Sequence, residues 1–200
     1  MSRLKSRLLH YAMENPLFVG ERTALVAATQ GRVLEVCIEP DKNVPYYSPW
    51  VTDLTLVSLA GAASESRRSA NDRGLRIERI VPGRDASALP FADGSFDWVV
   101  SILTLCRTQH SDAILAEMRR VLKPKGRYLF IEHGRSPDPA LHRWQQRLKS
   151  WWLEYGGCDL DREIDQMILA AGFRLEQLSR YQLGQPKFLS TMYRGIARRV

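Results

Sequence analysis

His133 follows the apolar run Tyr128-Leu129-Phe130-Ile131. A histidine at the exit of such a run can act as a general base toward a bound substrate, or serve only as a hydrogen-bonded wall residue. Cys106 ends a second apolar run and could face the same space, although free cysteines usually behave as small buried hydrophobes. His110 reads as a loop residue. Glu39 and Asp41, within Cys37-Ile38-Glu39-Pro40-Asp41-Lys42, could meet a cationic ligand or a metal, or form a solvated acidic turn. The three cysteines, Cys37, Cys106 and Cys158, lie far apart with no C-x-x-C spacing. That spacing argues against a disulfide framework and against a zinc site, and it points to a reducing cytoplasm. No Ser-His-Asp arrangement, phosphate-binding loop or zinc motif is visible.

A fold must bring these residues to one place, and the apolar periodicity supplies one. Helical spacing over residues 2–14 is interrupted at Asn15-Pro16, and a second helical stretch from Phe18 to Gln30 is capped by Gly31. Strands follow at Arg32–Cys37, Val51–Leu56, Leu75–Val81, Phe96–Ile102 and Arg127–Glu132, with Arg174–Arg180 and Tyr193–Arg199 at the end. Between them lie helical patterns at Ala60–Arg73, Asp112–Leu122 (with Ser111 as N-cap), Pro139–Tyr155 and Asp161–Ala171. Lys123-Pro124-Lys125-Gly126 reads as a turn. Strands alternating with helices predict a doubly wound, mostly parallel α/β sheet. Ligands in such sheets bind beyond the carboxyl ends of the strands, at the switch point, so the loop after the first strand is the expected floor of a site.

Two hundred residues suit a single domain, 1–200, with an N-terminal helical segment over 1–30. The net charge of +7 admits anionic partners, but the basic residues are scattered, and no dedicated nucleic-acid site is evident. Neither a signal-peptide core nor an apolar run long enough for a membrane helix is present. Leu141, Trp144, Leu148, Trp151, Trp152 and Tyr155 fall along one helical face, with Arg143, Arg147 and Lys149 around it. That face could line an apolar or aromatic substrate site, touch a membrane surface or a partner protein, or simply pack on the sheet.

The run Leu89-Pro90-Phe91-Ala92-Asp93-Gly94-Ser95-Phe96-Asp97-Trp98-Val99-Val100-Ser101, then an acidic helix ending Arg119-Arg120-Val121-Leu122-Lys123-Pro124-Lys125-Gly126-Arg127, resembles the class I S-adenosylmethionine-dependent methyltransferases. Ile131-Glu132-His133, Asp138, Trp144-Gln145-Gln146 and Gly156-Gly157-Cys158-Asp159-Leu160 are similar to the branch holding the ubiquinone/menaquinone-type and the methyltransferase-like thiol methyltransferases. The resemblance implies a Rossmann-like sheet of seven strands, the last antiparallel and inserted beside the fifth. It also implies that 137–160 is a substrate-covering helical insertion.

The resemblance further implies S-adenosylmethionine as cofactor, with contacts at Glu35, Cys37, Glu39, Asp41, Asn43, Asp53, Thr55, Asp85, Ala86 and Ser101. Glu35 matches the acid of the first strand, and Asn43 matches beyond the loop. Cys37, Glu39 and Asp41 stand where the family carries the glycines of its G-x-G-x-G turn. Thr55 falls where the acid at the end of the second strand would bind the ribose hydroxyls, with Asp53 as a substitute, and Asp85-Ala86 falls at the adenine contact. A residue forced into the left-handed region where glycine belongs costs roughly 1–2 kcal/mol, and Pro40 removes an N–H donor. Two functions therefore follow. One is a methyltransferase acting on a small, apolar acceptor, with His133 as the candidate catalytic group. The other is a protein of that fold that has lost the cofactor and serves as a binding or regulatory module.

Overall fold

The computed structural model describes residues 13–38, 42–59 and 88–200, together with the backbone of 77–82. The helical patterns expected over 2–14 and 60–73, and the site candidates Glu39, Asp41, Asp85 and Ala86, lie wholly or almost wholly outside the described residues. Seven strands form one sheet: β1 (Gly31–Cys37), β2 (Val51–Ser58), β3 (Ile77–Pro82), β4 (Phe96–Ile102), β5 (Leu122–His133), β6 (Phe173–Gln182) and β7 (Thr191–Arg199). Their order is β3-β2-β1-β4-β5-β7-β6. β7 runs antiparallel to both neighbours, beside β5, and the remaining pairings are parallel. The order reverses between β1 and β4, which places the crevice of a doubly wound sheet at their carboxyl ends.

Strands buried on both faces read as nearly unbroken apolar runs, as β1 and β4 do. Successive residues point to opposite faces. Val33, Leu54, Trp98 and Leu129 join one core with Phe18 and Val26, while Leu34, Val99, Tyr128 and Phe130 join another with Leu115, Met118 and Ile168. The helices that complete these layers are α1 (Pro16–Val26), α2 (Ser111–Val121), α3 (Pro139–Tyr155) and α4 (Ile164–Ala170). None of the described helices is long and apolar enough to cross a membrane.

Several boundaries differ from the sequence expectation for identifiable reasons. The expected break at Asn15-Pro16 is a helix start: Pro16 needs no N–H donor in the first turn, and the Asn15 side chain accepts from Leu17 N at 3.0 Å. Gly31 is not a helix cap. It opens β1 at φ 71°, and a Cβ there would lie 2.6 Å from Asp97 Oδ2, the oxygen that accepts from Arg32 N at 2.9 Å. α2 has His110 at its N-cap position and Ser111 as its first residue, with no side-chain cap. The Lys123–Gly126 turn is a bulged start of β5, with Lys125 at φ 66°.

Candidate active site

The turn after β1 is built around Glu35, which is fully buried. Its Oε1 accepts from Asn43 Nδ2 at 2.6 Å and its Oε2 from Tyr47 Oη at 2.7 Å. Asn43 in turn lies 3.5 Å from Arg22 Nη1, and the buried Arg22 guanidinium sits 4.7 Å from the centre of the Tyr46 ring. A strand residue, a helix residue and the loop beyond the strand thus share one buried polar network. Each Glu35 oxygen accepts a hydrogen bond from the loop, so the carboxylate ties the loop to β1. Burial raises the Glu35 pKa to about 7 against the opposing hydrogen bonds from Tyr47 and Asn43.

A shift from 4.5 to about 7 is worth about 3 kcal/mol. Below pH 4.5 both folded and unfolded states hold the proton. Between 4.5 and 7 the unfolded chain releases it first, so stability falls as pH rises across that window and stays lower above it. Urea unfolding at pH 5 and pH 8 should show this fall. Glu35→Gln, which keeps an acceptor for Asn43 and gives Tyr47 a donor, should remove most of it, and an equally steep fall in the variant would contradict the assignment.

The turn after β4 is held in the same way from β5. Glu132 is fully buried, and its Oε1 accepts from Thr104 N at 3.1 Å, Leu105 N at 3.0 Å and Ser101 Oγ at 3.0 Å, while its Oε2 accepts from Cys106 N at 3.2 Å. Burial raises the Glu132 pKa, opposed by these backbone hydrogen bonds. From the other side, the Arg162 guanidinium donates to the carbonyls of Leu105 and Thr108. Leu103, at φ 49°, enters this turn in a conformation that non-glycine residues seldom adopt, and the converging bonds hold it there.

Two cavities meet across the turn. The first, about 610 Å³, lies beyond the ends of β1, β2 and β4, against Ile38, Leu59, Cys106, Arg107, Asp159 and Arg162. The second, about 240 Å³, is largely apolar and lies against Phe18, Leu103, His133, Trp152, Cys158 and Met192. Arg107 lines both, and its Nε and Nη1 are buried with no hydrogen-bond partner among the described residues. Cys158 Sγ sits 3.4 Å from His133 Nδ1. Burial drives the Cys106 thiol up, helped by its neighbour Cys158. Cys158 is held well below the usual thiol range, against its own burial, by the Cys106 hydrogen bond and the His133 ring.

The cofactor contacts expected from the sequence that fall among the described residues part into three groups. Glu35, Asn43 and Ser101 are wall-builders, since Ser101 is buried between Tyr128 Oη at 2.7 Å and Glu132. Cys37 lies inside β1, not in the turn, and among the described non-glycine residues only Leu103 and Lys125 have positive φ. The strain expected from replacing glycine is therefore absent at position 37. Thr55 is displaced from its expected place. β2 continues to Ser58, which pairs with Cys37, so Thr55 lies mid-strand opposite Leu34. Asp53 lies nearer the amino end, opposite Arg32. The residue at the carboxyl end of β2 is Ser58, whose buried Oγ has no partner among the described residues. Sequence reasoning missed Ser58, Glu132 and Arg107. Only the longer extent of β2 could have signalled the first.

The helix carrying the tryptophans does not present one common face. Trp152 lines the apolar cavity, Trp144 stacks on Phe188 with ring centres 6.2 Å apart, and Trp151 and Tyr155 are exposed.

Residues 34–130 match the family model described as a methyltransferase domain. Human thiol S-methyltransferase TMT1B is 40% identical over 119 residues, covering 58% of this chain and 48% of its own. The ubiquinone/menaquinone biosynthesis C-methyltransferase UbiE of Paraburkholderia phytofirmans is 49% identical over 92 residues, 45% of this chain and 35% of its own. The solved structure of geranyl diphosphate C-methyltransferase from Streptomyces coelicolor aligns with a TM-score of 0.68 at 14% identity, over 95% of this chain and 84% of its own. At that identity the likeness is one of fold. The chain spans about half the length of the thiol methyltransferases it matches.

Proposed function

We propose that this chain, which has the Rossmann-like fold of class I S-adenosylmethionine-dependent methyltransferases and matches a methyltransferase-domain model over residues 34–130, transfers a methyl group from S-adenosylmethionine to a small, largely apolar acceptor, a thiol being the favoured class. The observation that carries this reading is the pair of adjoining cavities sharing Arg107, one at the switch point and one apolar. The likeness to thiol S-methyltransferases supports the acceptor class.

The residues present fit the cofactor. A cleft of about 610 Å³ is within the range of small-molecule sites. The unpartnered Arg107 N–H groups, in the cleft lining, suit the cofactor's carboxylate, and the Leu59 backbone in the same lining follows directly on the end of β2. When bound, the cofactor supplies an electrophilic methyl on a sulfonium. The protein's part is positioning: Glu35 and Glu132 fix the two turns that bound the cleft, and the apolar wall orients the acceptor and excludes water. His133 lines the apolar cavity, and in the absence of a metal it would take up the acceptor's proton. The covering role of 137–160 is part of the same proposal, supported by Trp152 in the cavity wall.

Calorimetric titration with S-adenosylhomocysteine, followed by methylation of small aromatic and alkyl thiols, tests the reading. Ligand at 100 times its dissociation constant should stabilise the protein by about 2.7 kcal/mol. Absence of heat and of thermal shift at millimolar ligand would leave a fold without its cofactor and refute the proposal.

A further inference from the structure

Cys106, His133 and Cys158 arrive from three separate elements: the turn after β4, the last residue of β5 and the segment after α3. Their donor atoms lie within 4.8 Å of one another, making the only such three-residue group of metal-ligating side chains among the described residues. Both cysteines are buried, and His133 is partly open at the apolar cavity. Cysteines buried merely as small hydrophobes have no reason to converge on a ring nitrogen. Two sulfurs and an imidazole are instead a soft donor set suited to zinc.

The dimensions agree. Tetrahedral zinc with its usual bond lengths needs donor-to-donor edges of about 3.5–3.8 Å. The Cys158 Sγ to His133 Nδ1 edge is already 3.4 Å, and the remaining edges exceed the ideal by at most about 1 Å. That is within reach of small side-chain rotations. The Cys106 backbone is fixed by the bond from its N–H to Glu132, so the site is supported from behind. Two thiolates neutralise a divalent ion, so the nearby Arg107 guanidinium does not oppose its binding.

We propose that Cys106, Cys158 and His133 bind one thiophilic divalent ion, zinc, with a fourth position open to the apolar cavity. Three protein ligands and one exchangeable position are the arrangement of a reactive zinc, not of a closed structural one. A thiol entering the cavity would replace water at the fourth position, form a zinc–sulfur bond and, with the His133 lone pair now on zinc, release its proton to solvent instead of to that ring, leaving a thiolate at the partition between the two cavities. Binding of the ion stands without the methyl-transfer reading, whereas the use of the fourth position rests on it.

The full chain, reduced, stripped with a chelator and shown to carry three free thiols, is titrated with cobalt(II). One equivalent should produce thiolate-to-cobalt charge transfer and intense tetrahedral visible bands, and zinc should displace it. Cys106→Ser, Cys158→Ser and His133→Ala should each weaken zinc by roughly a hundredfold or more, while Cys37→Ser should leave it unchanged. His133→Ala changes a partly exposed wall residue, and circular dichroism verifies that it folds. Absence of the bands in the reduced protein, or their persistence in the folded His133→Ala variant, would overturn the site. A small thiol added to the cobalt form should shift the charge-transfer band, and an unchanged spectrum would overturn the open position. These readouts use neither cofactor nor turnover, so their failure is distinct from failure of methyl transfer.

Discussion

Glu132→Ala is expected to lower the free energy of unfolding by about 4 kcal/mol or more and to abolish ligand binding in the cleft. The carboxylate accepts from three backbone N–H groups and from Ser101 Oγ, all in a buried environment. A buried donor left without a partner costs about 1–3 kcal/mol, and the alanine leaves several at once. It also removes the anchors of Thr104, Leu105 and Cys106, the residues that directly follow Leu103 at φ 49°. The turn lining both cavities would then relax into a conformation that no longer shapes either. Glu132→Gln keeps an acceptor but loses the charge and turns an amide toward the Cys106 N–H, so it should fall between alanine and the native residue. Urea unfolding followed at 25 °C measures the difference. A loss of less than 1 kcal/mol in the alanine variant would mean that the turn is held by something else.

Arg107→Leu is expected to weaken S-adenosylhomocysteine by roughly ten- to hundredfold, the range given by the worth of a hydrogen bond to a charged group. The guanidinium lies between the two cavities with Nε and Nη1 buried and without partners among the described residues, so it is available to an anionic group. Leucine fills much of the volume without the charge, and stability should change little, because no protein hydrogen bond from those two nitrogens is lost. Calorimetry reads the affinity, and thermal unfolding of the free protein checks stability. Unchanged affinity with a raised KM for the acceptor would assign the guanidinium to the acceptor instead.

The amino-acid sequence by itself determined the architecture. Alternation of period-two apolar runs with helical stripes fixed the doubly wound sheet, and the run from Leu89 to Ser101 pointed to the methyltransferase class. These signals are local, because side-chain periodicity is a property of each element before it packs. Glu35 was singled out by the resemblance, as the acid of the first strand. Its role was not legible, since whether a carboxylate faces a ligand or its own loop depends on where Asn43 and Tyr47 come to rest.

Tertiary structure alone decided the rest. The end of β2 is set by its pairing with β1, which carries the strand to Ser58 and leaves Thr55 in mid-strand. The absence of left-handed strain at Cys37 follows from that cysteine completing the same ladder. Widely spaced cysteines argued against a metal site, yet parallel β4 and β5, with the return of the chain after α3, set Cys106, Cys158 and His133 side by side. Sequence spacing measures distance along the chain, whereas coordination depends on distance through space, and only the sheet order converts one into the other.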